Sequence, residues 1–218
     1  MMKNMRKNKD VGIYGLAAKW YDRNSRKSRL AEMQRYANEV ASHVSKGANI
    51  LEVAPGPGYL SIELAKKGFN VTGVEISSDF VYIEKNNAKE ASVSVDFKEG
   101  NASNLPCKDN FFDFIVCSAA FKNFKEPVKA LSEMHRVLKQ GGTSLIIDMN
   151  HDSTAEDIEN EVSKMKGFDK LFVKFSFKTF LKQGAYTKEG FETLIKETPF
   201  ENYNIKKEGI SLFVYLYK

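Results

Sequence analysis

The 218-residue chain has little cysteine and no long apolar segment. Its two cysteines, Cys107 and Cys117, exclude a disulfide scaffold and favour a reducing, cytoplasmic location. No apolar run approaches the roughly 18 residues that span a bilayer, and no apolar region follows the basic N-terminus as in a secretory signal. The two cysteines and three histidines also lack metal-ligand spacing, so no metal site is predicted. What is left is an ordinary globular composition and a length that suits one α/β domain.

Positive charge is concentrated near the N-terminus. Residues 1–46 contain 11 Lys and Arg against 4 Asp and Glu, a net charge of +7 in a chain whose total is +5. A basic N-terminal segment of this kind could bind nucleic acid, phospholipid or an acidic substrate. No aromatic or glycine-rich RNA-binding pattern accompanies the charge, which favours a solvated helix face and a disordered tail at residues 1–12. Nucleic acid is therefore not favoured as a partner, while peripheral membrane contact and the oligomeric state stay open.

Short apolar strands alternate with helices along most of the chain, which indicates crossover connections and a parallel sheet. The apolar periodicity predicts helices at residues 26–45, 59–67, 79–91 and 127–140, and strands at residues 50–54, 70–76, 93–98, 111–117 and 143–149. Thr187 is predicted to cap a helix that runs to about residue 198. Two final strands, at residues 203–207 and 210–217, are predicted to form an antiparallel hairpin. A parallel sheet completed by such a hairpin differs from a plain dinucleotide-binding fold.

The turn at residues 52–58 (EVAPGPG) has the composition of a ligand-binding loop. Gly56 and Gly58 stand where the first strand meets the first core helix, a place that needs glycine for its backbone angles and for close approach of a ligand. Glu75 ends the second strand, where a carboxylate can accept hydrogen bonds from both hydroxyls of a ribose. Ser61 takes the place of the third glycine of the dinucleotide fingerprint, and Glu52 would sit badly beside a pyrophosphate. The turn therefore favours a cofactor with a ribose and a positively charged end.

Five short motifs follow one another in the order and spacing of a known family: ILEVAPGPG, VTGVEIS, GNASNLP, FDFIVCSAAF and RVLKQGG. In these motifs the chain resembles the class I S-adenosylmethionine-dependent methyltransferases of the small-molecule type, and within them the ubiquinone/menaquinone methyltransferase-like group. The resemblance covers residues 48–150 and the final hairpin. It implies a Rossmann-like, mostly parallel sheet of seven strands in the order 3-2-1-4-5-7-6, with an antiparallel last strand and helices on both faces.

The resemblance also implies S-adenosylmethionine as the cofactor and indicates which residues bind it. Ala54 replaces the usual first glycine of the first motif, and Asn101 replaces an acid that commonly contacts the adenine amino group. An N-terminal tyrosine often touches the cofactor in similar enzymes, although Tyr21 could equally be an apolar anchor for the first helix. The predicted cofactor-binding residues are Tyr21, Glu52, Ala54, Pro55, Gly56, Gly58, Glu75, Ile76, Asn101, Ala102 and Ser118.

Methyl transfer from a sulfonium needs the acceptor and the methyl group held in line, and a general base is optional. The sequence contains no obvious catalytic residue. The candidates are His151, which follows the fifth strand at the edge where ligands bind, and the N-terminal Tyr14 and Tyr21. Cys117 and Asp113 are interpreted as structural residues of the fourth strand.

The chain is predicted to consist of a helical substrate or cofactor cap at residues 1–46 and a methyltransferase core at residues 47–218, with a helical insertion at about residues 150–186. Within the insertion, lysines recur every four residues at 170–182 beside an apolar face, which predicts a basic amphipathic helix at residues 168–182. This helix could be a lid, a dimer face, a membrane-surface element or a packed core helix.

The favoured function is methyl transfer to a small-molecule acceptor, an apolar or aromatic one among the options. A pI near 9.0 leaves an RNA or protein methyltransferase as one alternative. A non-catalytic S-adenosylmethionine-binding module is the other, because of the departures at Ala54 and Asn101.

Overall fold

The computed structural model describes Asp10 and residues 12–163 and 184–218. The helices in this part of the chain are α1 (Gly15–Ala41), α2 (Tyr59–Lys66), α3 (Ser78–Glu90), α4 (Pro127–Val137), α5 (Ala155–Ser163) and α6 (Lys188–Ile195), with a 3₁₀ turn at Phe121–Asn123. The strands are β1 (Asn49–Val53), β2 (Asn70–Glu75), β3 (Asp96–Glu99), β4 (Phe112–Ser118), β5 (Leu138–Met149), β6 (Asn202–Glu208) and β7 (Ser211–Tyr217).

The strands form one seven-stranded sheet in the order β3-β2-β1-β4-β5-β7-β6. The first five strands pair in parallel, as the alternation of strands and helices predicts. β7 lies antiparallel to both β5 and β6, so the predicted hairpin adds the last two strands to the sheet. The predicted fold class, including the strand order, is confirmed.

The central strands are buried on both faces of the sheet, where successive side chains point to opposite sides. Ile50 packs with α1 and α2, whereas its neighbour Leu51 packs with α4 and α6. The same alternation holds in β4, where Phe114 belongs to the first cluster and Ile115 to the second. These two apolar layers hold the parallel strand ends in place, and the ends of β1, β2 and β4 form one edge at which a site can be built.

The first helix is longer at its start than the predicted range of 26–45. It begins at Gly15 because tertiary contacts support the extra turns: Ala18 packs against Phe80 and Ile83 of α3, and the Asp79 carboxylate accepts a hydrogen bond from the Gly15 N–H. It ends at Ala41, four residues before the predicted end. Trp20 and Tyr21 are therefore part of this helix.

The prediction for the junction of α4 and β5 was also wrong. α4 ends at Val137 rather than at residue 140, and Leu138 already pairs with Phe112 as part of β5. The pairing with β4 then shifts register and resumes at Thr143, so the two glycines at 141–142 lie within β5 at this irregularity and do not end the helix. β3 begins at Asp96 rather than at residue 93, while β1, β2, β4, β6 and β7 lie within one residue of their predicted ends.

The predicted insertion at residues 150–186 is described in part. It contains α5, while the predicted amphipathic helix at residues 168–182 lies outside the described residues, as does most of the predicted disordered tail. Thr187 caps α6 as predicted, since its hydroxyl accepts a hydrogen bond from the Gly190 N–H at 2.9 Å. None of the helices in the described ranges is both long and apolar enough to traverse a bilayer.

Candidate functional site

A cavity of about 410 Å³ lies at the carboxyl ends of β1, β2 and β4, the edge at which parallel sheets bind ligands. Its wall brings together ten of the eleven residues predicted to bind the cofactor; their contact with a ligand stays a prediction. Those ten are Tyr21, Glu52, Ala54, Pro55, Gly56, Glu75, Ile76, Asn101, Ala102 and Ser118. Gly58 does not line the cavity, although both of its neighbours do.

The turn between β1 and α2 depends on three residues with left-handed backbone angles. Gly56 has a φ of +59°, and a Cβ placed there would meet no atom within 4 Å, so its backbone faces open space. Gly58 has a φ of +78°, and a Cβ there would lie 2.8 Å from the Glu84 Cβ. Ala54, which replaces the usual glycine, adopts a φ of +57° despite its side chain, a conformation that costs about 1 kcal/mol. Ala54 thus adopts the left-handed backbone conformation that favours glycine, although it is not glycine.

Glu75 joins this turn to the end of β2. Its carboxylate accepts hydrogen bonds from the Gly56 N–H and from the Ser77 N–H, both at 3.0 Å. Burial raises the pKa of Glu75, and these backbone donors oppose the rise. Each carboxylate oxygen keeps a further lone pair that can accept from a ligand hydroxyl.

Glu52 is the second buried carboxylate of the cavity wall. Its side chain is 1% exposed and accepts a hydrogen bond from the Ser61 hydroxyl at 2.5 Å. Burial raises the pKa of Glu52 to about 7, while the Ser61 hydrogen bonds and the positive charge of Arg29 act in the opposite direction. A cationic ligand would favour the ionised form of this group.

Arg29 is a site residue that the sequence reasoning missed. It lines the cavity from α1, and its guanidinium donates to the Tyr21 hydroxyl at 3.1 Å and to Glu32 at 3.3 Å. The signal was present in the helix periodicity, because Arg29 precedes the buried Met33 by one turn and so shares its face. The cavity thus has a fixed positive group whose charge acts on the Glu52 carboxylate.

The chain before α1, here called the N-terminal strap (Asp10 and residues 12–14), crosses the strand ends. The Asp10 carboxylate accepts from the Asn101 side-chain amide at 3.0 Å and from the Lys125 N–H at 2.8 Å. The Ser77 hydroxyl donates to the Ile13 carbonyl at 2.6 Å. Asp10 therefore brings a carboxylate to Asn101, where the family has an acid, and it was missed because it lies in a segment predicted to be disordered.

Lys122 is the third residue that was not predicted. It follows β4, lines the cavity, and its side chain is only 12% exposed. Its N–H donates to the Asp148 carboxylate at 2.8 Å, and its Nζ lies 3.8 Å from the other Asp148 oxygen. The cavity thus places a lysine on the side formed by β4 and the 3₁₀ turn.

Of the three catalytic candidates, only Tyr21 lines the cavity. Tyr14 is half exposed, with its hydroxyl 3.5 Å from the Ile76 carbonyl. His151 is exposed and lies 3.0 Å from the Asp152 carboxylate, and neither residue lines the cavity. Cys117 is buried in β4, and Asp113 accepts hydrogen bonds from the Asn49 N–H and Lys139, so both have the structural surroundings predicted for them. Within the described ranges no group of side chains is arranged to hold a metal ion.

Residues 51–146 match the family model described as a methyltransferase domain. The strand order and the cavity at the strand ends agree with this match and with the class I S-adenosylmethionine-dependent methyltransferases that the sequence resembles. The predicted resemblance to this family is confirmed.

Among curated proteins, the chain is similar to demethylmenaquinone methyltransferases. It is 36% identical over 109 residues to that of Listeria welshimeri, a match that covers 48% of this chain and 46% of the relative. The chain thus spans about half the length of the first relatives that it matches. It is 29% identical over 206 residues to that of Staphylococcus epidermidis, covering 91% of this chain and 81% of the relative.

Solved structures share the fold over nearly the whole chain. A SAM-dependent methyltransferase from Aquifex aeolicus has a TM-score of 0.71 at 19% identity, covering 94% of this chain and 98% of that one. The plantazolicin methyltransferase BpumL, solved with S-adenosylhomocysteine, has a TM-score of 0.67 at 16% identity, covering 93% and 88%. At these identities the likeness concerns the fold alone.

Proposed function

We propose that the chain transfers the methyl group of S-adenosylmethionine to a small-molecule acceptor bound in this cavity. The observation that carries the proposal is that ten predicted cofactor-site residues from separate motifs line one cavity. Its volume of about 410 Å³ lies within the range of small-molecule sites.

The donor and acceptor groups of the wall fit the cofactor. We assign the Glu75 carboxylate to the ribose hydroxyls, because its oxygens have lone pairs left beyond the two backbone N–H groups. Glu52 and Arg29 suit the methionine end of the cofactor. The Glu52 carboxylate would face the positive charge of that end, and the Arg29 guanidinium would face the carboxylate of the cofactor. Asn101, Ala102 and the strap residue Asp10 are assigned to the adenine end, where an exocyclic amine needs an acceptor.

S-adenosylmethionine supplies an activated methyl group, so the protein has mainly to orient the acceptor and exclude water. We assign the acceptor to the part of the cavity that Lys122 and Phe124 line beyond β4. An apolar or aromatic acceptor with one polar group fits this mixture of side chains. The description of the curated relatives as demethylmenaquinone methyltransferases supports an apolar ring of this kind.

The proposal includes a domain arrangement and a location. Residues 1–46, represented by the strap and α1, act as a cap on the cofactor, and residues 47–218 form the core with an insertion at about residues 150–186. The low cysteine content supports a cytoplasmic location. No specific observation favours an RNA or protein substrate, or a binding module without catalysis.

The test of the proposed function has two stages. Calorimetry should give a dissociation constant for S-adenosylmethionine in the roughly micromolar range. Incubation with methyl-labelled cofactor should then label a small molecule in a metabolite extract rather than RNA or protein. Absence of cofactor binding would overturn the proposal, label in RNA or protein would replace the acceptor class, and binding without any transfer would favour the binding module.

Replacing Arg29 by methionine is expected to weaken S-adenosylmethionine binding about 10- to 100-fold, because a hydrogen bond to a charged group contributes about 1.5–3 kcal/mol. Titration calorimetry measures the change. Arg26→Met is the matched control, since Arg26 also belongs to α1 but contacts Asp22 and Glu90 instead of lining the cavity. Equal losses in both variants would mean that α1, and not the Arg29 charge, supports the affinity.

A further inference from the structure

The outward face of α1 carries exposed apolar side chains that the cavity does not use. Leu16 is 84% exposed and Trp20 is 62% exposed. Arg23 and Lys27 follow at spacings that continue the same stripe along the helix, and Lys19 lies beside it. We call these five residues the α1 outer face. Large exposed apolar side chains in a contiguous patch are typical of interaction surfaces.

The charges of this face have one sign. Lys19, Arg23 and Lys27 form no ion pair within the described residues, while Arg26 and Arg29 of the same helix have carboxylate partners. The only acid between residues 15 and 31 is Asp22, which turns inward and accepts from the Tyr59 hydroxyl at 2.7 Å. The face is therefore basic and apolar at once.

We infer that the α1 outer face docks on an anionic lipid surface. Tryptophan prefers the membrane–water interface, leucine inserts into its apolar part, and lysine and arginine attract anionic headgroups. A nucleic acid would use the basic groups but would leave the more exposed apolar residue, Leu16, without a partner, because base stacking needs aromatic or guanidinium planes. The chemistry of the face thus fits lipid better than RNA.

The opposite face of the same helix contributes Tyr21, Arg29 and Met33 to the cavity wall. A membrane-bound α1 would therefore lie between the lipid and the site, so that an apolar acceptor could reach the cavity without crossing water. This consequence rests on the proposed function, whereas the docking itself does not.

Trp20 is the only tryptophan of the chain, so its fluorescence reports on this face alone. Mixing the full chain with phosphatidylcholine vesicles that contain phosphatidylglycerol should shift the emission to shorter wavelength and protect it from iodide. Brominated lipids should quench it. Vesicles of phosphatidylcholine alone should cause much smaller changes.

Variants separate the contributions of charge and apolar contact. Arg23→Glu/Lys27→Glu should weaken binding to the anionic vesicles at least about 25-fold, since each basic group near such a surface contributes about fivefold. Leu16→Ser should also weaken binding to the anionic vesicles, and it leaves Trp20 in place as the fluorescent reporter. Tyr82→Ser is the control, because Tyr82 is an aromatic residue of α3 that is 66% exposed and does not belong to the α1 outer face. Each variant should bind S-adenosylmethionine like the wild type, which distinguishes failure of docking from failure of the proposed function.

Three outcomes would overturn the inference. The first is an emission that does not respond to anionic vesicles. The second is a Trp20 that is already protected from iodide without lipid, which would mean that another part of the chain or a second copy covers the face. The third is a shift of equal size with RNA and no quenching by brominated lipid.

Discussion

Replacing Glu75 by glutamine is expected to lower the affinity for S-adenosylmethionine by at least about 100-fold. The carboxylate holds the Gly56 N–H and the Ser77 N–H and, in the proposed site, both ribose hydroxyls. Glutamine has one acceptor oxygen and would turn its amide hydrogens towards one of those donors. Losing two hydrogen bonds to a charged acceptor costs about 3 kcal/mol or more, which corresponds to the stated factor.

Titration calorimetry with S-adenosylmethionine and with S-adenosylhomocysteine tests this assignment. The loss should be similar for both ligands, because they share the ribose. Glu99→Gln is the matched control: Glu99 stands opposite Glu75 on the neighbouring β3, is exposed, and does not line the cavity. If the wild type binds the cofactor and Glu75→Gln binds it with an affinity within threefold of that value, the assignment of Glu75 to the ribose is wrong. Such a result would not bear on the resemblance to the family.

The sequence predicted this part of the site because local chemistry determines it. A glycine turn after an apolar strand and an acid at the end of the next strand must meet at one sheet edge, whatever surrounds them. The residues that were missed come from elements whose position depends on tertiary contacts. Arg29 reaches the cavity only because α1 packs on α2 and α3, and Asp10 only because the strap crosses the strand ends.

The same difference between local patterns and tertiary contacts explains the errors in the predicted ends of helices and strands. The ends of β1, β2, β4 and β7 were predicted to within one residue because buried apolar runs mark them. The start of α1 depends instead on contacts with α3 that no local pattern encodes. The end of α4 depends on Leu138 pairing with Phe112, a contact between residues far apart in the chain. Sequence periodicity shows which side chains share one face of a helix or strand, but it does not show which other element packs against that face.

Glu84 is the clearest example, because its helix was predicted and its surroundings were not. It is fully buried on α3, packs against Gly58 of the cofactor turn, and neither carboxylate oxygen has a hydrogen-bond partner among the described residues. Burial, with the negative charges of Glu75 and Glu52, raises the pKa of Glu84 to about 10. The folded protein therefore holds this carboxyl in its neutral form at pH 7.

Replacing Glu84 by methionine is expected to raise the free energy of unfolding at pH 7 by at least about 3 kcal/mol, and the melting temperature by at least roughly 6 °C. The unfolded chain releases the proton near the ordinary pKa of 4.5, whereas the folded chain keeps it up to about pH 10. The folded state binds more protons in this window, so the wild type loses stability as the pH rises. The gain from Glu84→Met should accordingly be smaller at pH 5 and reach at least about 6 kcal/mol at pH 9.

Denaturant titrations at pH 5, 7 and 9 measure these differences, and Glu84→Gln separates the two causes. Glutamine cannot ionise but still buries an unpaired polar group, which costs about 1–3 kcal/mol. Glu84→Gln should therefore match the wild type at pH 5 and exceed it at pH 9, while Glu84→Met should exceed both throughout. A difference between Glu84→Gln and the wild type that does not change with pH would mean that Glu84 is ionised and has a partner. Because a neutral Glu84 adds no charge to the turn, both variants should bind S-adenosylmethionine at pH 7 with the affinity of the wild type. Glu84 would then lower the stability of the folded protein without contributing to cofactor binding.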